Sequence, residues 1–241
     1  MRPAASFIAL RRLAVSLFLV AAVFPCSAQE PDSTQTQSTA NGDGSAFKLV
    51  TQVFKINKVQ GRQITTVHFS PAAGLPMQAI GEIVQPAGDN NRAMVFVTDW
   101  DKDGMHEIQT VDTCGAGPNC AGAIYRIDAR QGRVSEFFKT SGADISLMHG
   151  YLIEKSRGSC CAWVVDAYKL RPGGVGVEPG PAFSVLVEHA TDKHTKQPVT
   201  CVFSQNKPNG RRVMAPPAIE FLSLCELYGK RYQLKRPMPV K

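Results

Sequence analysis

From residue 47 onward the chain is cut into short runs of β-branched and aromatic residues, each bounded by glycine, proline or asparagine. Runs of this kind read as strands, and their punctuation leaves no room for long helices. They cover 47–54, 63–69, 78–85, 94–98, 107–111, 123–127, 134–139, 145–153, 162–170, 183–187, 199–204 and 211–214. Only 219–228 has helical spacing, with Phe221, Leu224, Cys225 and Tyr228 in phase, and it predicts one short helix. The expected fold class is all-β. It is an antiparallel sheet, either propeller-like or an irregular barrel or sandwich, with at most one short C-terminal helix.

The ends read differently. Arg2, Arg11 and Arg12 precede an apolar run over 13–24, and small residues stand at Cys26 and Ala28. This is the pattern of a secretory signal peptide over 1–28, cut after Ala28. The apolar run is shorter than the ~20 residues that a membrane span needs. Lipidation at Cys26 is the competing reading. Residues 29–46 are rich in Ser, Thr, Gln and Asn, bury little, and are expected to form a disordered linker. A single β domain is expected over 47–234, followed by a basic tail at 235–241.

Loss of the leader, with three arginines and no acids, lowers the formal charge from +7 to +4. The basic cluster from Lys230 to Arg236 reads as a solvated tail, and no nucleic acid is expected as a partner. Six cysteines remain: Cys114, Cys120, Cys160, Cys161, Cys201 and Cys225. An even count in an exported chain reads as disulfides, so the expected location is periplasmic or secreted. Locality favours Cys114–Cys120 and Cys201–Cys225. Cys160 and Cys161 either bridge each other or reach elsewhere. Zinc is disfavoured, because none of these spacings is C-x₂-C.

The stretch Val95–Gly115 holds Asp99, Asp101 and Asp103 at alternate positions, then Gly104 and Glu107. Carboxylates this close repel unless a cation lies between them. Calcium takes six to eight oxygen ligands, and alternate residues of a tight loop can converge on one centre. The expected ligands are Asp99, Asp101, Asp103, the Met105 carbonyl and Glu107. Position twelve of a helical calcium hand would be Glu but is Thr110, and the flanks read as strands. Other candidates read as scaffold. Glu188-His189, Asp192 and His194 look like a polar loop, Arg171–Gly176 a turn, and Cys160-Cys161 beside Trp163 a disulfide next to a core aromatic.

The pattern Asp-x-Asp-x-Asp-Gly-x-x-Glu resembles the FG-GAP/VCBS calcium loops of integrin-type β-propellers, and single loops of this kind in bacterial envelope proteins. The resemblance implies structural Ca2+ on a β scaffold and non-enzymatic binding work. The loop occurs once, whereas a propeller of that family repeats it in every blade. Export, a small all-β fold and one such loop are also similar to periplasmic inhibitors of lysozyme-type hydrolases, some of which are immunity proteins. That likeness implies a protein partner, a cell-wall hydrolase. The alternatives are a metal-assisted envelope hydrolase using Asp99–Glu107, and a structural or adhesive surface protein.

Overall fold

Two-residue alternation organises the central strands of the first sheet. In β2 (Ala46–Lys55), Phe47 and Leu49 point inward and are buried, while Lys48 between them and Val50 after them are only partly covered. β3 (Gly61–Ser70) answers in register, with Phe69 opposite Phe47 and Val67 opposite Leu49. The computed structural model describes residues 29–55, 61–87, 94–115, 117–128, 131–172, 176–189, 198–208 and 210–237. Its elements all belong to the unit Pro31–Lys241.

Among the described residues fifteen strands form three sheets, built as antiparallel meanders except for one parallel pairing in the third. The first sheet is β1 (Ser33–Ala40), β2, β3 and β4 (Gln78–Ala87). The second is β5 (Met94–Thr98), β6 (Glu107–Cys114), β7 (Cys120–Asp128) and β8 (Arg133–Thr140). The third runs from β9 (Asp144–Met148) through β10 (Tyr151–Ser159), β11 (Ala162–Lys169), β12 (Phe183–Glu188) and β13 (Val199–Lys207) to β14 (Gly210–Val213). β15 (Tyr232–Leu234) joins β13 in parallel. The predicted short helix is present as a 3₁₀ helix, Ile219–Tyr228.

The sheets stack face to face. Phe47, Leu49, Val67, Phe69 and Ile83 of the first sheet meet Val95 and Ile108 of the second. The opposite face of the second sheet carries Ile124, Phe137 and Phe138 onto Leu152 of the third. The far face of the third sheet, with Phe183, Val185 and Phe203, is covered by Phe221 and Leu224 of the 3₁₀ helix. The middle sheet is therefore covered on both faces around Ile108 and Ile124, while Met94 and Phe96 of its edge strand β5 stay exposed. The all-β expectation holds in its sandwich form, and among the described residues no sheet closes into a barrel.

The expected disordered linker at 29–46 is corrected. Residues 33–40 form β1, paired with β2 from Ser33↔Val53 to Ala40↔Ala46. Its side chains are almost all exposed, so side-chain composition carries no trace of it. Ladder hydrogen bonds hold it instead, and an edge strand with polar side chains is tolerated in water. The sheet thus begins before Phe47. The run 145–153 is likewise two strands, not one. His149 (φ 49) and Gly150 (φ 80) turn between β9 and β10, a positive-φ pair of the kind a tight hairpin requires.

The expected disulfide pairs Cys114–Cys120 and Cys201–Cys225 are formed, and Cys160 is bonded to Cys161. The first closes the β6–β7 turn, the second sits at the β10–β11 turn, and the third pins the 3₁₀ helix to β13. The basic tail starts against the sheet, where the Lys235 amide donates to the Cys201 carbonyl. The expected signal peptide 1–28, the loop holding Asp192 and His194, and residues 238–241 lie outside the described residues.

Candidate metal centre

β5 and β6 pair to their last residues, Thr98 opposite Glu107, so the segment 99–106 must turn within the width of one ladder. Two residues turn it at positive φ, Lys102 at 60° and Gly104 at 87°. Asp99 organises the interior. One carboxylate oxygen accepts from the Asp103 amide (3.1 Å), the other from the Gly104 amide (3.1 Å). Asp103 accepts from the Met105 amide at 2.7 Å.

A second turn braces the loop from outside. Between β1 and β2, Asn41 is buried and its Oδ1 accepts from the His106 amide at 2.9 Å, with His106 Nδ1 at 3.1 Å. The Gly42 amide donates to the Gly104 carbonyl at 2.8 Å. A Cβ on Gly42 would lie 3.4 Å from that oxygen, so the backbones approach closely there. His106 is thus half-buried and held by Asn41.

Asp99, Asp101 and Glu107 each offer a carboxylate oxygen, and these oxygens lie within 4.8 Å of one another. Three of the five expected ligands are therefore brought together. Asp103 is not part of this group; its carboxylate is spent on the Met105 amide, at the exposed rim. Met105 sits beside it on the same rim, with its amide in that bond.

Sequence reasoning missed the cation already present. Arg126 of β7 donates through Nε to Glu107 Oε1 at 3.1 Å and through Nη2 to Asp101 Oδ2. Its guanidinium is stacked over the Phe137 ring at 4.2 Å and lies 5.6 Å from the Trp100 ring. Even so the site is not neutral. Three carboxylates face one guanidinium, which leaves a formal charge of −2 when all are ionised. Two buried oxygens, Asp101 Oδ1 and Glu107 Oε2, have no hydrogen-bond partner among the described residues. Glu107 is only 2% exposed.

The cost appears in the protonation equilibria. Burial, with the Asp101 charge added to it, pushes the Glu107 carboxyl up from 4.5 to about 7, against the pull of Arg126. Burial also raises Asp101, Arg126 opposes it, and Asp103 adds to it. An unpaired buried acceptor costs about 1–3 kcal/mol, more when charged. Orphaned carboxylate oxygens and an excess charge of −2 fit a hard divalent cation. A soft metal would want thiolate or imidazole donors, and the six cysteines among the described residues are all in disulfides.

No protein-family model matches the chain, and no curated protein matches it. One solved structure similar to it is titled "Structure of a Xanthomonas Type IV Secretion System related protein". It is 14% identical over 78% of this chain and 97% of that one, with a TM-score of 0.46.

Proposed function

We propose that this chain is an exported, calcium-binding, non-enzymatic binding protein, in which Asp99, Asp101 and Glu107 hold a structural Ca2+. The observation that carries the reading is the pair of buried, unpartnered oxygens, Asp101 Oδ1 and Glu107 Oε2, in a carboxylate cluster that one arginine leaves under-neutralised. The bound ion supplies positive charge and oxygen coordination. The chain's own residues do the rest. Arg126 neutralises part of the cluster, Asp99 shapes the loop, and Asn41 ties it to β1–β2. Export is supported by the leader pattern and by three disulfides, which belong in an oxidising compartment.

A hydrolytic role fits the site poorly. A general base needs access to substrate, whereas Glu107 is buried and engaged by Arg126. A protein partner fits better. Met94 (43% exposed) and Phe96 (44% exposed) project from β5, the strand that leads into the loop. Within this reading the partner is a cell-wall hydrolase, held and inhibited.

Thermal melting of chelator-treated protein tests the metal. Calcium at about 100 times its Kd adds about 2.7 kcal/mol, a rise of roughly 5–10 °C for a chain of this size. Magnesium at equal concentration should give a smaller rise, because it keeps its waters and fits all-protein cages poorly. An equal rise with magnesium, or none with calcium, contradicts the assignment. The partner is tested separately, by muramidase activity on isolated cell walls with the calcium-loaded protein added. Undiminished activity at excess protein removes the hydrolase from the reading and leaves the metal standing.

A further inference from the structure

The positive charge of the folded chain is segregated. Residues 29–206 hold sixteen basic and eighteen acidic residues, whereas 207–241 hold eight basic and two acidic. Two strands of that last segment, β14 and β15, lie along one edge of the third sheet. β13 has β12 on one side; on the other, β14 pairs along its second half and β15 along its first.

Cations therefore succeed one another along β13. Lys230 and Arg231 lead into β15 at the Val199 end. Lys235 and Arg236 leave β15 beside Cys201, where the Lys235 amide is bonded. Arg212 and Arg211 of β14 lie opposite Gln205 and Asn206, and Lys207 closes the row. All are exposed, and no ion pair joins any of them to an acid among the described residues. From Val199 to Lys207 the row is eight strand steps, about 26 Å at roughly 3.3 Å per residue.

The geometry points to a linear polyanion laid along this edge, and we propose that it is an anionic polysaccharide strand. Two features select that partner. First, the charges form a line and not a disc. Alternation puts Arg212 on the helix-covered side with Met214, which packs into the core there, and Arg211 on the other side. Arg231 and Lys235 flank β15 on either side of Tyr232 and Leu234, which also pack into that core, and both are exposed. A flat membrane would meet only part of such a row, but a chain following the edge meets all of it. Second, three disulfides fit an oxidising compartment and not the cytosol or nucleus, which disfavours a nucleic acid and leaves a polysaccharide as the linear polyanion; this choice rests on the export reading proposed above. The calcium reading is not needed for this surface.

The test uses full-length mature protein and a polygalacturonate oligomer, with neutral dextran as blank. Wild type should bind the uronate chain at low salt, and affinity should fall as salt rises, because association releases counterions. The variant Arg211→Ser/Arg212→Ser/Lys235→Ser/Arg236→Ser should bind roughly tenfold or more weakly, with a shallower salt dependence. A control, Arg133→Ser/Lys139→Ser, removes exposed charge from β8 and should bind like wild type. Circular dichroism checks each fold, and the wild-type salt series stands even if the quadruple variant unfolds. The proposal is overturned by absent wild-type binding, by equal loss in the control, or by salt-insensitive binding. It is also overturned by tighter binding to phosphatidylglycerol vesicles or single-stranded DNA than to the uronate chain.

Discussion

Glu107 and Arg126 decide what the loop can be. Their contact follows from β-sheet register, and the register turns on one bulge. Counting back from the disulfide pair Cys114↔Cys120 in an unbroken ladder would set Glu107 against Ile127. The shift between Val111 and Thr113 moves the pairing by one, to Ile108↔Tyr125, and so brings Arg126 beside Glu107. The carboxylates were legible in the sequence as a pattern of alternate aspartates. Arg126 was not, because a bulge leaves no reliable mark in composition. The raised Glu107 carboxyl has a measurable consequence. Its folded value of about 7 lies above the ordinary 4.5, so between these the folded state binds more protons than the unfolded one. Stability of the metal-free protein should therefore be greatest at the acid side of this window and fall as pH climbs through it. Asp101, also raised, acts in the same direction. With saturating calcium the fall should vanish or reverse, since the ion favours both carboxylates ionised. Melting temperatures against pH, in chelator and in calcium, would show the two curves diverging above about pH 5.

At the scale of elements, β1 and its turn carry the largest difference from the sequence reading. A run of Ser, Thr and Gln has no apolar face, so it reads as a linker. It is ordered because its backbone pairs with β2 and its turn docks on the aspartate loop through Asn41 and Gly42. Long-range bonds of this sort have no local signal. The 3₁₀ helix, by contrast, was legible from the spacing of Phe221, Leu224 and Cys225, and these are its buried residues. Asn41→Ala removes the acceptor for the His106 amide and should cost about 1 kcal/mol. Hydrogen exchange should then quicken in β1 and in the loop together, while β10–β13 keep their protection. Exchange confined to the loop would mean that the turn does not couple the two.

For the whole molecule, the strand candidates predicted an all-β fold but not the order of its layers. Period-two patterns mark which side chains are buried and are silent on which sheet covers them. Here the middle sheet separates two apolar layers, one around Leu49 and Ile108, the other around Ile124 and Leu152. Leu49→Ala and Leu152→Ala should each cost about 3 kcal/mol. Because they lie in different layers, the double variant in calcium should lose the sum to within about 0.5 kcal/mol by urea unfolding. A large coupling energy would mean that the layers act as one core.

The most direct test of the central claim is calorimetric titration of calcium into chelator-treated mature protein, alongside the Asp101→Ala and Glu107→Gln variants. One site per chain is expected, with binding lost in Asp101→Ala and strongly weakened in Glu107→Gln. No heat of binding in the wild type, or unchanged binding in both variants, would make Arg126 the cluster's sole counter-charge and reduce the aspartate loop to a turn.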